Sequence, residues 1–530
     1  MNSEGPGGAR NESQDNGPRE DQLDESTHRL HPAAMLIGAL KTARQWVGVL
    51  VLPGGALLVN QGFSVRTIFL IIAGLIVVAA LAAVWGFLSW RATSYVVSGG
   101  AFHLRQGVIQ KSERTIPLDH VQSVDTVQGV VQRIFGVVEV RVETAGGGTN
   151  EPDASLSALS RAAAGTLRRE IETSRHKPTD ADGEESGPSV VRRLTTRDLL
   201  IAGATSGQIG IAVSLVAVVS QFFDDLFSNE FVERVVTTFA PRSVTAVLLL
   251  VVVAGLFAWL LAIGGTVLAH AGFTLARDGD YLYIRRGLLE RREATIPLSR
   301  IQAVRVVEGI LRQPFGLAAL RVESAGYGED AGVSTILFPL LPRQEVEGFL
   351  RAAAPEFAGE PSLERLPRRA LRRYVFRAML ATIPLVFVVS AIAVIGLFSG
   401  FTAPGCGDAG CAAEDFSWLA FEIPAALLLV ALLVFAALYG WLQYRDAGWA
   451  ISDSRLFARS RLLSRATAIA PRRRLQSRSI VSSPFQRRLR LATLQARVAS
   501  GGGGAEVRIV DLDAPAAGTL ADRLGPDPAP

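Results

Sequence analysis

Thr115-Ile116-Pro117-Leu118-Asp119-His120-Val121-Gln122-Ser123-Val124 returns as Thr295-Ile296-Pro297-Leu298-Ser299-Arg300-Ile301-Gln302-Ala303-Val304. A more divergent third copy reads Ala468-Ile469-Ala470-Pro471-Arg472-Arg473-Arg474-Leu475-Gln476-Ser477. The offset from Pro117 to Pro297 is 180, and the same offset relates Gln122 to Gln302 and Gly136 to Gly316. From the second copy to the third the offset is 174, which carries Pro297 to Pro471 and Gln302 to Gln476. Repetition at a fixed period defines a structural unit before any single residue is interpreted. Each copy follows a pair of apolar stretches, so the unit is a membrane hairpin joined to a small polar domain.

Hydrophobic residues make up 49% of the 530, as expected of a membrane protein with polar domains attached. Crossing the hydrocarbon layer takes about 20 apolar residues. Residues 67–90, 243–270, 374–399 and 417–442 meet that length, while 46–60 and 199–220 are weaker and gain support from their places in the repeat. Six spans in three hairpins are predicted. Arg91, Arg192, Arg193, Arg368, Arg369, Arg372, Arg373 and Arg445 flank the spans on the side of the repeated domains, which the positive-inside rule places in the cytoplasm. The resulting order is a disordered cytoplasmic tail (1–40), hairpin 1 (41–91), domain 1 (92–176), a linker (177–195), hairpin 2 (196–270), domain 2 (271–356), a basic linker (357–373), hairpin 3 (374–445) and domain 3 (446–526). Cys406 and Cys411 fall in the outer loop of hairpin 3, where an oxidising exterior permits a disulfide; free thiols are the alternative.

Within each domain the strand pattern dominates. Val138 to Glu143 alternates apolar and charged residues, as does Leu317 to Glu323, and Tyr281–Ile284 and Ala294–Ile296 flank a turn near Gly287. Helices are predicted at 160–172, 343–353 and 514–524. The fold class is therefore membrane α-helical hairpins plus three small β-rich domains, each a sheet or barrel closed by a C-terminal helix. The order of hairpin, strands, Ile-Pro-Leu-x-x-Ile/Val-Gln-x-Val, Phe-Gly and an alternating Val-Arg-Val-Glu strand resembles the bacterial pleckstrin-homology-like (PH domain) membrane protein family of the YdbT type. That resemblance implies a pleckstrin-homology-like barrel at the cytoplasmic face of a bacterial cell membrane, with no established catalytic activity. The third copy departs from it with Leu489-Arg490 in place of Phe-Gly.

Pro117, Gln122, Gly136, Pro297, Gln302, Gly316, Pro471 and Gln476 define the repeat and read as structural, since a proline can begin an edge strand without losing a ladder bond and a glutamine amide can tie a turn to the backbone. Neither Gly146–Gly148 nor Gly501–Gly504 leads into the Gly-Lys-Ser/Thr of a phosphate loop. The six histidines show no metal-ligand spacing beyond His28 and His31 in the tail, so neither a metal nor a cofactor is expected. No nucleophile elbow or metalloprotease helix occurs, and the chain is not read as an enzyme.

Charge separates the copies. Residues 91–150 hold six basic and five acidic side chains, 271–330 nine and eight, and 446–505 twelve and two. Arg472, Arg473, Arg474, Arg478, Arg487, Arg488 and Arg490 are therefore the candidate lipid- or partner-binding residues. Anionic phospholipid headgroups are the nearest abundant counter-charge, and guanidinium binds phosphate in bidentate fashion. A membrane-protein partner or a homo-oligomer is the other candidate; nucleic acid is not expected, because aromatic interleaving is missing. Binding or scaffolding at the membrane surface is the expected function. The alternative is a transporter or channel component using the polar spans, with Gln208 and Glu422 as its residues.

Overall fold

A computed structural model describes residues 28–46, 64–144, 154–175, 188–206, 244–324, 336–401, 419–499 and 505–525. The first repeat forms one compact unit, and the second and third together form another.

Repeat 1 contains β1 (His28–Arg29), α1 (residues 33–46), α2 (Val65–Arg91), β2 (Ser94–Ser98), β3 (Ala101–Gln106), β4 (Ser112–Pro117), β5 (Val121–Gln128), α3 (Val130–Ile134), β6 (Val137–Thr144), β7 (Ala154–Ser160) and α4 (Arg161–Arg175). Strands β1-β2-β3-β4 form one antiparallel set and β5-β6-β7 another. Alternation drives this: Phe102 and Leu104 of β3 and Val140 and Val142 of β6 point inward and are fully buried. Ala164, Leu167 and Ile171 give α4 one apolar face, which closes over them. Residues 28–40, expected in a disordered tail, are instead part of this fold. β1 pairs with β2, and Leu30, Ala33 and Ala34 join the core. The Trp90 indole donates to the Leu30 carbonyl at 2.9 Å. His28 and His31 thus belong to the domain, and residues 1–27 of the expected tail lie outside the described residues.

Repeat 2 contains β8 (Ser189–Arg193), α5 (Thr196–Ala204), α6 (Val244–His270), β9 (Thr274–Asp278), β10 (Tyr281–Arg286), β11 (Arg291–Pro297), β12 (Ile301–Glu308), β13 (Leu317–Ser324), β14 (Ile336–Pro342) and α7 (Val346–Ala353). Repeat 3 contains β15 (Glu364–Arg365), α8 (Arg368–Phe401), α9 (Leu419–Asp446), β16 (Gly448–Ser452), β17 (Arg455–Arg461), β18 (Arg465–Pro471), β19 (Leu475–Val481), α10 (Pro484–Arg488), β20 (Leu491–Val498), β21 (Ala505–Asp513) and α11 (Ala514–Arg523). The expected linkers 177–195 and 357–373 therefore each contribute a short strand, the counterpart of β1, to the next sheet.

Each repeat has β-rich sheets, but no closed barrel forms among the described residues. β12 pairs on one side with β13 and on the other with β18 of the next repeat, from Val304↔Ile469 to Glu308↔Arg465. An edge that a closed barrel would satisfy internally is satisfied between repeats. The outcome is one antiparallel sheet continuous from β14 through β12 and β18 to β15.

Among the described residues, three helices are long and apolar enough to cross a membrane: Val65–Arg91, Val252–His270 and Ala426–Asp446. α8 runs through the expected span 374–399. Each long helix packs on the helix that precedes it. A Cβ on Gly86 would collide with the backbone of α1 at Met35 and Ala39, one on Gly203 of α5 would sit 3.1 Å from Ile263 Cα, and one on Gly440 would sit 2.7 Å from Val375 Cα. Small residues at these crossings permit close backbone approach. The turns that would make these pairs hairpins lie outside the described residues, as do the expected span 46–60, most of 199–220, Cys406 and Cys411.

Gly287, in the turn between β10 and β11, has φ 104° and a Cβ there would collide with the Glu290 carbonyl; Gly279 has φ 52° with open space around it. Gly279→Ala should cost about 1 kcal/mol for the left-handed backbone. Gly287→Ala should cost about 2 kcal/mol more from overpacking. Thermal unfolding of the two variants in detergent checks the order; equal losses would contradict the steric argument.

Candidate membrane-facing site

The end of each long helix fixes which part of a repeat lies near the membrane. α2 ends at Arg91 and β2 starts at Ser94; α6 ends at His270 and β9 starts at Thr274; α9 ends at Asp446 and β16 starts at Gly448. With connections this short, the start of the first strand lies at the membrane surface. The following hairpin returns its turn to the same level. Gly287 N donates to Ala271 O at 2.8 Å, Leu288 N donates to Leu268 O at 2.9 Å, and the Tyr439 hydroxyl donates to Leu462 O at 2.8 Å. These turns carry Val108-Ile109, Leu288-Leu289 and Leu462-Leu463. Ile109 is 86% exposed and Leu462 73%, and Leu288, Leu289 and Leu463 are exposed too. Apolar dipeptides in turns that usually hold polar residues are a recurring signal that the sequence reading missed.

The helical turn after β5, β12 and β19 lies at the same end. In repeat 2, Arg312 binds Thr205 Oγ1 at 3.0 Å, Ala202 O at 3.1 Å and Pro339 O at 3.0 Å, tying the turn to the end of α5. Burial holds the Arg312 pKa below the usual guanidinium value, with the nearby Arg321 charge adding to the effect. In repeat 3, Arg373 at the entrance of α8 donates to Ser483 Oγ at 3.3 Å and pairs with the fully buried Asp511 at 2.8 Å. Ser483 and Gln486 form a capping box at the start of α10, and Gln486 Nε2 also donates to Asp511 at 2.7 Å. This turn exposes Ile134 and Phe135 in repeat 1, Ile310 and Phe315 in repeat 2, and Phe485 in repeat 3.

The seven arginines singled out by charge do not form one patch. Arg487 and Arg488 lie on α10 and Arg490 follows it, all exposed beside Phe485 at the membrane-proximal end. None of the three has an acidic partner among the described residues. Arg490 has φ 52°, in the position held by Gly136 (φ 68°) and Gly316 (φ 60°) in the other copies. A left-handed backbone at a side-chain-bearing residue costs about 1 kcal/mol, so the divergence from Phe-Gly places a charge here against the local preference.

Arg472, Arg473 and Arg474 form the 3₁₀ turn joining β18 to β19. β18 runs from the membrane-proximal Arg465 to Pro471, a rise of about 20 Å, which exceeds twice the Debye length of about 8 Å. Here they hold protein groups. Arg472 Nε donates to Gly525 O at 2.6 Å, and Arg478 donates to Ala521 O at 3.3 Å. Arg473 Nε lies 2.8 Å and Arg474 Nη2 3.1 Å from the Glu356 carboxylate, and Arg474 also donates to Ser299 O. Arg473 and Arg474 therefore fasten repeat 3 to repeat 2, while Arg472 holds the end of the last helix within repeat 3. A cleft of about 800 Å³ beside it is lined by Asp453, Ser454, Arg455, Arg473, Gln476 and Arg478.

The repeat-defining prolines and glutamines occupy matching positions in the three repeats. Pro117, Pro297 and Pro471 end β4, β11 and β18. Gln122, Gln302 and Gln476 each sit at a register shift, the bulge that begins β5, β12 and β19. Gln302 donates to Arg300 O at 3.1 Å across the turn. Gln208 and the side chain of Glu422 lie outside the described residues, and no cluster of metal-ligating residues occurs among those described.

Burial raises the Glu356 pKa, but hydrogen bonds and charge from Arg473 and Arg474 outweigh it and leave the carboxyl below its usual range. A folded-state pKa depressed in this way stabilises fully above the ordinary carboxylate value and is lost as pH falls through the lowered one. Thermal unfolding at pH 7 and at about pH 3 should therefore show a larger drop for the native protein than for Glu356→Gln. Equal drops would mean that this pair does not couple the repeats.

The bacterial PH domain family matches residues 47–175, 213–356 and 385–527, one match for each repeat. The chain is also 31% identical over 502 residues to the UPF0699 transmembrane protein YdbT of Bacillus subtilis (strain 168), which covers 91% of this chain and 95% of that protein. No solved structure matches it. Three matched repeats and a full-length relative agree with the long apolar helices, and the chain accordingly belongs to the bacterial PH domain family as a transmembrane protein with three such domains.

Proposed function

We propose that the chain is a non-catalytic protein of the bacterial cell membrane that binds anionic phospholipid headgroups at the cytoplasmic surface through its third domain. The observation that carries this reading is the grouping of Arg487, Arg488 and Arg490 with exposed Phe485 at the membrane-proximal end of repeat 3. Basic residues near an anionic leaflet gain about 1 kcal/mol each, and an exposed apolar side chain such as Phe485 gains by burial at the headgroup–acyl boundary. The apolar turns Val108-Ile109, Leu288-Leu289 and Leu462-Leu463 would enter the same interface without charge selectivity. Cytoplasmic orientation rests on the arginines that flank α2, α5, α8 and α9. Transport draws no support from the described residues or from the family.

Native mass spectrometry of the full chain in detergent, with phosphatidylglycerol and phosphatidylcholine in competition, tests this. The variant Arg487→Gln, Arg488→Gln, Arg490→Gly should lose up to about 3 kcal/mol of anionic preference, roughly 100-fold. Arg490→Gly alone should unfold at a higher temperature while binding less phosphatidylglycerol. Arg473→Gln should leave the preference unchanged. An unaltered preference in the triple variant would overturn the reading.

A further inference from the structure

Inside the second unit, β12 is covered by β18, and both are largely buried. Their counterparts at the two ends of the series are open. β19, the counterpart of β12, occupies the edge of β19-β20-β21, and every residue after Leu475 is exposed. β4, the counterpart of β18, occupies the edge of β1-β2-β3-β4, with Glu113, Arg114, Thr115 and Pro117 exposed. The outer edge of the seven-residue β19, with Ile480 and Val481 at its end, forms a ready template for strand addition.

Direction selects the occupant. β19 runs toward the membrane, ending at the Ser483 turn that Arg373 holds at the entrance of α8. β4 runs away from it, starting beside Glu113, whose partner Arg105 lies opposite Ser94 just past the end of α2. In one membrane these two edges are antiparallel, as β12 and β18 are. Two β19 edges related by an axis along the membrane normal would both run toward the bilayer and meet parallel, unlike every described strand pair. We infer that copies of this chain join head to tail in the membrane, β19 of one copy pairing antiparallel with β4 of the next.

The β12–β18 register, carried across by the repeat offsets, sets the contact. Val304↔Ile469 becomes Arg478↔Thr115, Arg305↔Ala468 becomes Ser479↔Arg114, and Val306↔Thr467 becomes Ile480↔Glu113. Arg478 then stands diagonal to Glu113, within reach of a cross-strand ion pair. The contact is heterologous, so it propagates or closes a ring rather than stopping at a two-fold dimer.

The test uses full-length chains with Cys406→Ser and Cys411→Ser. One tagged chain carries Ser479→Cys and a second, differently tagged, carries Arg114→Cys; the two are co-expressed and oxidised in membranes. A mixed disulfide dimer is expected, together with a ladder of higher species when both cysteines are on one chain. Pairing Ser479→Cys with Glu113→Cys turns one thiol to the opposite face and should give at least tenfold less product. The proposal is overturned if no mixed dimer forms. It is equally overturned if only two Ser479→Cys chains link to each other, or if Ser479→Cys is captured by a different membrane protein instead.

Discussion

Asp446, the last residue of α9, is almost fully buried and accepts a hydrogen bond from Arg461, with Arg465 3.9 Å away. Arg465 donates in turn to Glu308 of β12, which is 1% exposed. One ionic chain thereby joins the end of a membrane helix, the hairpin of repeat 3 and a strand of repeat 2. Such a network is costly to leave half made, since an unpaired buried charge costs about 3–5 kcal/mol. The sheet therefore has a defined membrane-proximal end and a defined distal end, and the role of every surface arginine depends on which end it occupies.

That distinction divides the work of the basic third domain. At the distal end Arg472, Arg473, Arg474 and Arg478 bind carbonyls and the Glu356 carboxylate. Arg473 and Arg474 serve the joint between repeats, and Arg472 and Arg478 hold the C-terminal helix of repeat 3 in place. At the proximal end Arg487, Arg488 and Arg490 face outward around Phe485, and Arg490 occupies a left-handed position that the other copies fill with glycine. A backbone conformation kept at some cost, beside unpaired cations, is where a departure from the repeat points to function.

The repeat itself and its strands were legible from sequence, because period-2 alternation around Val140 and Leu320 and the invariant spacing of Pro and Gln survive in each copy. The destination of the arginines was not legible. Glu356 lies 117 residues before Arg473, in a region whose own charges look balanced, and no local pattern announces that pairing. The unclosed sheet was also hidden, since alternation tells which face of a strand is buried and not which neighbour its edge takes. A weaker signal was present for β1, β8 and β15. Arg-Leu recurs at Arg29-Leu30, Arg193-Leu194 and Arg365-Leu366, just before each helix pair. Leu30 and Leu366 are buried, and their carbonyls accept from Trp90 and from the Tyr444 hydroxyl.

The claim that the third domain stands with α10 at the bilayer and its Arg472–Arg474 turn away from it is tested most directly by depth. Nitroxide labels at Phe485→Cys and Arg473→Cys, on a background lacking Cys406 and Cys411, report collision with lipid-soluble oxygen and with a water-soluble nickel chelate. The account predicts a label at 485 in the headgroup region and a label at 473 fully in water, about 20 Å further out. A label at 473 that meets lipid, or one at 485 that meets only water, would contradict it.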